Sequence, residues 1–317
     1  MIQLPEEFDD MRPYYDSEIP AAMERMASDP MLVPALMFLD NHMDVDRFKA
    51  LLRSVRTSDQ FQHDVMVPLF HAIMKKTMTS FTYSGAEGID GSYGTLYISN
   101  HRDIVLDAYL HQIALNECRI PTCHITFGSN LMKPQFVVDF GMSNKMFKTD
   151  RKTSNVRSFL KSSKHLSAYI NYVVPHGESL WIAQRNGRTK DGFDRTEQGL
   201  IRMVMMNGNR KTQIDALHIT PLAISYQWEP CDILKAVELY RSMDGMPYVK
   251  APGEDLQSII TGITSPKGNV HLSFGRPIDT SSFCDPLRRE DIQSVAAQID
   301  AQVWRGYKLW DTNYVAW

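Results

Sequence analysis

The chain has 317 residues, of which 43% are hydrophobic and 22% charged, enough apolar content for a large core and too much for a disordered polymer. The formal net charge of -3 excludes a global attraction to nucleic acid and leaves any anion binding to a local patch. Four scattered cysteines, Cys118, Cys123, Cys231 and Cys284, do not make a disulfide framework and suit buried free thiols in a reducing compartment.

The first ten residues are acidic and lack the basic-then-apolar pattern of a signal peptide. The longest apolar run, 31–39, is interrupted by Pro34 and falls short of the roughly 20 residues that span a bilayer. These features predict a cytoplasmic protein, soluble or peripheral at the inner membrane face. Residues 1–83 read as a helical N-terminal region. Asp29-Pro30 suits a helix start, and Phe48, Leu51, Leu52 and Val55 recur at helical spacing, as do Phe61, Val65, Leu69 and Ile73. The helix over 65–78 is apolar on one face and ends in Lys75 and Lys76, so it reads as a membrane-contact element or as packing on the main domain.

Residues 84–317 read as an α/β domain. Four glycines over 85–94 mark a loop, after which short apolar runs alternate with amphipathic stretches. Strands are expected at 95–99, 124–127, 180–183, 217–226 and 270–274. Helices are expected at 104–116, 154–170, 195–206, 253–263 and 288–308. This alternation predicts a mixed, largely parallel sheet flanked by helices, with the helical N-terminal region as an appendage.

The string Asn100-His101-Arg102-Asp103 places His101 where a strand gives way to a helix, the end of an open α/β sheet at which ligands bind. Asp103 suits the helix cap, and Asp107 lies one turn further, near enough to reach back. Either carboxylate would orient the imidazole and stabilise its protonated form. Seven basic residues fall between 145 and 164 against one acid, Asp150, with Lys148, Arg151 and Lys152 just before a helix start suited to phosphate. A third basic run, Arg185-Asn186-Gly187-Arg188-Thr189-Lys190, follows the 180–183 strand, its glycine placed for close backbone approach.

In order, these pieces resemble the glycerol-3-phosphate and lysophosphatidate acyltransferase family over residues 95–279. Asn100-His101 with Asp107 resembles its first block, one residue longer. Phe147 to Arg151 resembles the second, again one residue long. Asn186-Gly187-Arg188-Thr189 resembles the third, with Asn in place of the acid, and Ile219-Thr220-Pro221-Leu222 resembles the fourth. The resemblance implies an O-acyltransferase of phospholipid synthesis that takes acyl-CoA or an acyl-carrier protein as donor and glycerol 3-phosphate or lysophosphatidate as acceptor. His101 is then the general base and Asp107 its orienting partner. Lys148, Arg151, Gly187, Arg188 and Thr189 hold the phosphate, with neither cofactor nor metal required. A non-catalytic lipid or phosphate binder on the same fold is the alternative. A protein kinase is suggested only by the strings His101-Arg102-Asp103 and Asp139-Phe140-Gly141, whose flanking sequence lacks the other kinase elements.

Overall fold

The computed structural model describes residues 2–150, 155–243 and 248–316. Helices α1 (Ile19–Ser28), α2 (Leu32–Leu39) and α3 (Val45–Ser54) come first. They lead into α4 (Ser58–Gln60), a π-helical segment (Phe61–Met66) and α5 (Val67–Thr77). Then follow β1 (Met78–Ser84), β2 (Leu96–Ser99), α6 (Leu106–Glu117), β3 (His124–Gly128), α7 (Gln135–Ser143) and β4 (Met146–Thr149). After α8 (Val156–Val173) come β5 (Leu180–Ala183), α9 (Gln198–Val204), α10 (Lys211–Asp215) and β6 (Thr220–Tyr226). The chain closes with α11 (Asp232–Ser242), α12 (Glu254–Thr264), β7 (Gly268–Phe274), α13 (Arg289–Gly306) and α14 (Asp311–Ala316). The fold is α/β, with a mixed, mostly parallel sheet flanked by helices.

Two compact units share these elements. One combines Met1–Ile73 with Cys123–Ser162, the other Met74–Thr122 with Ser163–Trp317. In the first unit, Ile19, Ala22, Met23, Met26 and Ala27 recur on one face of α1 and are buried. That helix packs on α3 and α7. Val65, Phe70 and Ile73 of the following helical stretch are buried as well. β3 and β4 pair in parallel, Ile125 opposite Met146.

The second unit is organised by strands in the order β1-β7-β6-β2-β5. All neighbouring pairs are parallel except β6 with β7. Every residue of β2, β5 and β6 is buried, which is why these strands read as continuous apolar runs without alternation. Helix α6 is buried all round from Leu106 to Leu115, as a core helix must be, and α13 packs across β6. Each large aliphatic side chain so enclosed contributes about 1.5–3 kcal/mol.

The expected strands and helices fall close to those observed, with six additions. Residues 78–84 leave the helical region to form β1. Helices α7, α10, α11 and α14 and strand β4 also form where none was expected.

Candidate active site

The site is assembled where β2 ends. Asn100, His101, Arg102 and Asp103 follow Ser99 directly and are all buried. Asn100 replaces a ladder pair: its Oδ1 accepts the Ile224 N–H at 2.8 Å and its Nδ2 donates to the Ile224 carbonyl at 3.0 Å. The end of β2 is thereby locked to β6 without leaving buried backbone groups unpaired.

Asp103 and Asp107 divide the work at the start of α6. Asp103 Oδ1 accepts the N–H groups of Val105 and Leu106 at 2.9 and 2.8 Å, as a cap does. Asp107 turns back, and its Oδ2 accepts from Arg102 N at 2.6 Å, Asp103 N at 2.9 Å and His101 Nδ1 at 2.8 Å. A carboxylate can only accept, so Nδ1 carries the hydrogen and Nε2 keeps its lone pair. Asp107 Oδ1 accepts the Tyr226 hydroxyl at 2.8 Å. The histidine therefore pairs with Asp107. Burial, reinforced by the charge of Asp107, pushes the Asp103 carboxyl above its ordinary range. Its Oδ2 has no hydrogen-bond partner and faces Gly262 so closely that no Cβ would fit there.

The loop after β5 lies along the same backbone. The Gln184 N–H donates to the Ser99 carbonyl and the Thr189 N–H to the His101 carbonyl, both at 2.7 Å. Between them Asn186 is exposed, and Gly187 turns the chain at φ +77°, a conformation that favours glycine. Arg188 and Thr189 return to the interior. Thr189 Oγ1 donates to Asp194 Oδ1 at 2.6 Å. Several buried polar atoms in this region have no hydrogen-bond partner: Arg188 Nη1, both side-chain polar atoms of Gln184, and Trp181 Nε1, whose ring lies edge-on to His101 at 5.8 Å. Buried donors left unpaired in a native fold call for an explanation, and a ligand is one.

Behind the histidine sits an ion network. Arg102 Nη2 meets Asp194 Oδ2 at 2.6 Å and its Nη1 meets Glu229 Oε2 at 3.3 Å. Lys235 donates to the Arg102 carbonyl at 2.6 Å and pairs with Glu229. Burial works against the Arg102 charge, but Tyr307, Glu229 and Asp194 outweigh it and raise the pKa of the guanidinium. The network holds the His101 loop from below and spends its charges on itself.

Of the residues singled out from sequence, the histidine, Asp107, Gly187, Arg188 and Thr189 come together in one unit. Lys148 lies half-buried on β4 in the other unit, where its N–H donates to the Met11 carbonyl at 2.8 Å. Arg151 lies outside the described residues. Asp139-Phe140-Gly141 is helical, within α7. Asp139 accepts from Arg25 at 2.7 and 2.9 Å, from Tyr14 at 2.8 Å and from Gln135 at 3.0 Å, so the string ties helices together and presents no free carboxylate to a metal.

No protein-family model matches the chain, and no curated protein sequence matches it. Among solved structures it is similar to the 1-acyl-sn-glycerophosphate (LPA) acyltransferase PlsC from Thermotoga maritima. The likeness covers 90% of this chain and 94% of that one, at 13% identity and a TM-score of 0.45.

Tyr226, Asp194, Glu229 and Lys235 escaped the sequence reading. They stand 93 to 134 residues from His101, in stretches with no local chemical pattern. Among the described residues, no group of three or more His, Cys, Asp or Glu is arranged to hold a metal. No described helix is long and apolar enough to cross a membrane.

Proposed function

We propose that this chain transfers an acyl group from a thioester to the hydroxyl of a phosphorylated glycerol. The observation that carries the reading is the His101 Nδ1–Asp107 pair at the carboxyl end of β2, which leaves Nε2 as the basic nitrogen. His101 Nε2 takes the proton of the acceptor hydroxyl as its oxygen attacks the thioester carbonyl. The carbon–sulfur bond then breaks, and the leaving thiolate recovers that proton from the imidazolium. Asp107 keeps the ring in the required tautomer and stabilises its charge during the transfer. No covalent acyl-enzyme is needed.

Arg188 supports a phosphate-bearing acceptor. Its guanidinium is buried, its Nη1 has no hydrogen-bond partner, and its loop is bonded to the His101 backbone. A guanidinium held so pairs well with phosphate oxygens, and fixing the phosphate positions the hydroxyl. Gly187 gives the loop its turn. Thr189, its hydroxyl donated to Asp194, holds the loop in place. Lys148 and Arg151 belong to the same reading as further phosphate ligands, supported by the order of the sequence blocks. Acyl-CoA or an acyl-carrier protein is the donor, and glycerol 3-phosphate or lysophosphatidate the acceptor. The reading also places the protein in the cytoplasm, in contact with the inner membrane face where its product belongs.

The test is thiol release from palmitoyl-CoA and from a palmitoyl-carrier protein, with and without each acceptor, on wild type and His101→Ala. Acceptor-dependent release that disappears in the variant is expected. Equal release by the variant would remove His101 from the chemistry. No release with any pairing would favour a lipid or phosphate binder without turnover.

A further inference from the structure

Asp107 is held by four donors, and three of them come from its own neighbourhood in sequence. His101 Nδ1, Arg102 N and Asp103 N all converge on Oδ2. The fourth comes from 119 residues away: the phenol of Tyr226, the last residue of β6, donates to Oδ1 at 2.8 Å. Tyr226 is buried and packs as a core aromatic, a task that phenylalanine would perform as well. Its hydroxyl has one described hydrogen-bond partner, and that partner is Asp107.

We propose that Tyr226 is a positioning residue of this site, whose O–H fixes Asp107 Oδ1 and so aims Oδ2 at His101 Nδ1. A carboxylate is nearly two-fold about its last torsion, so donors on one oxygen alone leave its tilt free. A donor on the second oxygen removes that freedom. It also takes up part of the carboxylate charge, which tempers the pull of Asp107 on the imidazole proton. Burial holds the phenol well above its ordinary pKa, so it remains a donor throughout the working range. The other charged or titratable groups facing this cluster are Asp103 on the same loop, Arg102 with Asp194 and Glu229, Lys235 of α11, Arg188 of the β5 loop, and Tyr307 after α13. Among the described residues, none of these groups hydrogen-bonds to Asp107 Oδ1.

The consequence for rate rests on His101 as the general base, while the geometric role does not. The experiment separates the two. Histidine is labelled with nitrogen-15 in the intact protein, and the His101 ring signal is assigned by its loss in His101→Asn. Its titration midpoint is then followed in Tyr226→Phe. Losing the O–H leaves the carboxylate charge undivided, so the imidazolium persists to a pH higher by about half a unit. Incorporating 3-fluorotyrosine, a stronger donor that preserves shape, moves the midpoint the other way and covers the case in which Tyr226→Phe folds poorly. Both shifts vanish in an Asp107→Asn background. Unmoved midpoints, or shifts that survive Asp107→Asn, overturn the proposal.

Turnover provides the kinetic half. In Tyr226→Phe, kcat falls about tenfold while the KM for acceptor holds, and the acid limb of the pH profile rises with the midpoint. A residue with only a packing role would lower activity without moving that limb. If His101→Asn keeps acceptor-dependent thiol release, the assignment of His101 as general base fails, and the coupling of Tyr226 to the ring midpoint still decides the positioning role.

Discussion

The N–H of Thr189 donates to the carbonyl oxygen of His101 at 2.7 Å. Through that bond the loop bearing Arg188 and the loop bearing the histidine share a frame fixed by backbone, whatever their side chains do. On the acyl-transfer reading, a phosphate held by Arg188 would be placed relative to the imidazole by this shared frame, and positioning of this kind can rival proton transfer in its contribution to rate.

The division of labour between the two aspartates leads to opposite outcomes for one chemical change. Asp107→Asn removes the acceptor for the ring N–H and should lower kcat by roughly 10²–10⁴-fold with little change in acceptor KM. Asp103→Asn retains an oxygen for the Val105 and Leu106 N–H groups and should keep most activity, since asparagine caps as well as aspartate. Steady-state thiol release from both variants checks this, and equal losses would show that the pairing seen at Asp107 does not govern the reaction.

Gly262 is required by Asp103. A methyl group there would collide with the buried, unpartnered Oδ2, so Gly262→Ala should destabilise the fold by about 1–3 kcal/mol. Urea unfolding reads the loss. Combining it with Asp103→Ala should be less than additive, because the colliding oxygen is gone. Strict additivity would mean the clash is relieved elsewhere.

Removing the charge of Arg102 should be costlier. Arg102→Met leaves Asp194 and Glu229 facing a hydrocarbon in a buried setting, and breaking such a pair from one side costs about 3–5 kcal/mol. A denaturation midpoint within error of wild type would contradict this.

Helix α6 also carries a pH liability. His111 is buried against Tyr97 and Phe274, and burial lowers its pKa to about 3 from 6.5. The unfolded chain thus takes up this proton first. The stability associated with a neutral His111 is complete above about pH 6.5 and drains away as the pH falls toward 3. His111→Leu should flatten the stability curve across that window while leaving the slope above pH 7 unchanged. Parallel curves for the two proteins would refute the assignment.

The readable parts of the sequence were those whose determinants are local. Strands β2, β5 and β6 are buried on both faces and so appear as short unbroken apolar runs. Asp107 lies six residues from His101, and its reach back to the ring is a property of one helical turn. By contrast, β1 carries four serines and threonines in a half-exposed edge position, a pattern that resembles a loop until β7 pairs with it. Helix α11 turns Ile233 and Tyr240 outward and buries Lys235, the inverse of the periodicity that marks a surface helix. Tyr226 and Asp194 enter the site by tertiary contact alone, and no spacing rule points to them.

The tie between Arg25 and Asp139 joins positions 114 residues apart, inside a unit whose two segments are separated by the chain of the other. On the ribosome, the first helices emerge with the Arg25 face of α1 uncovered and wait for residue 139 and its surroundings to be made. That interval is an exposure time during synthesis, with apolar surface available to chaperones or to other nascent chains. Completion of the unit that holds α1 is therefore set by a segment translated after β2 and the His101 loop.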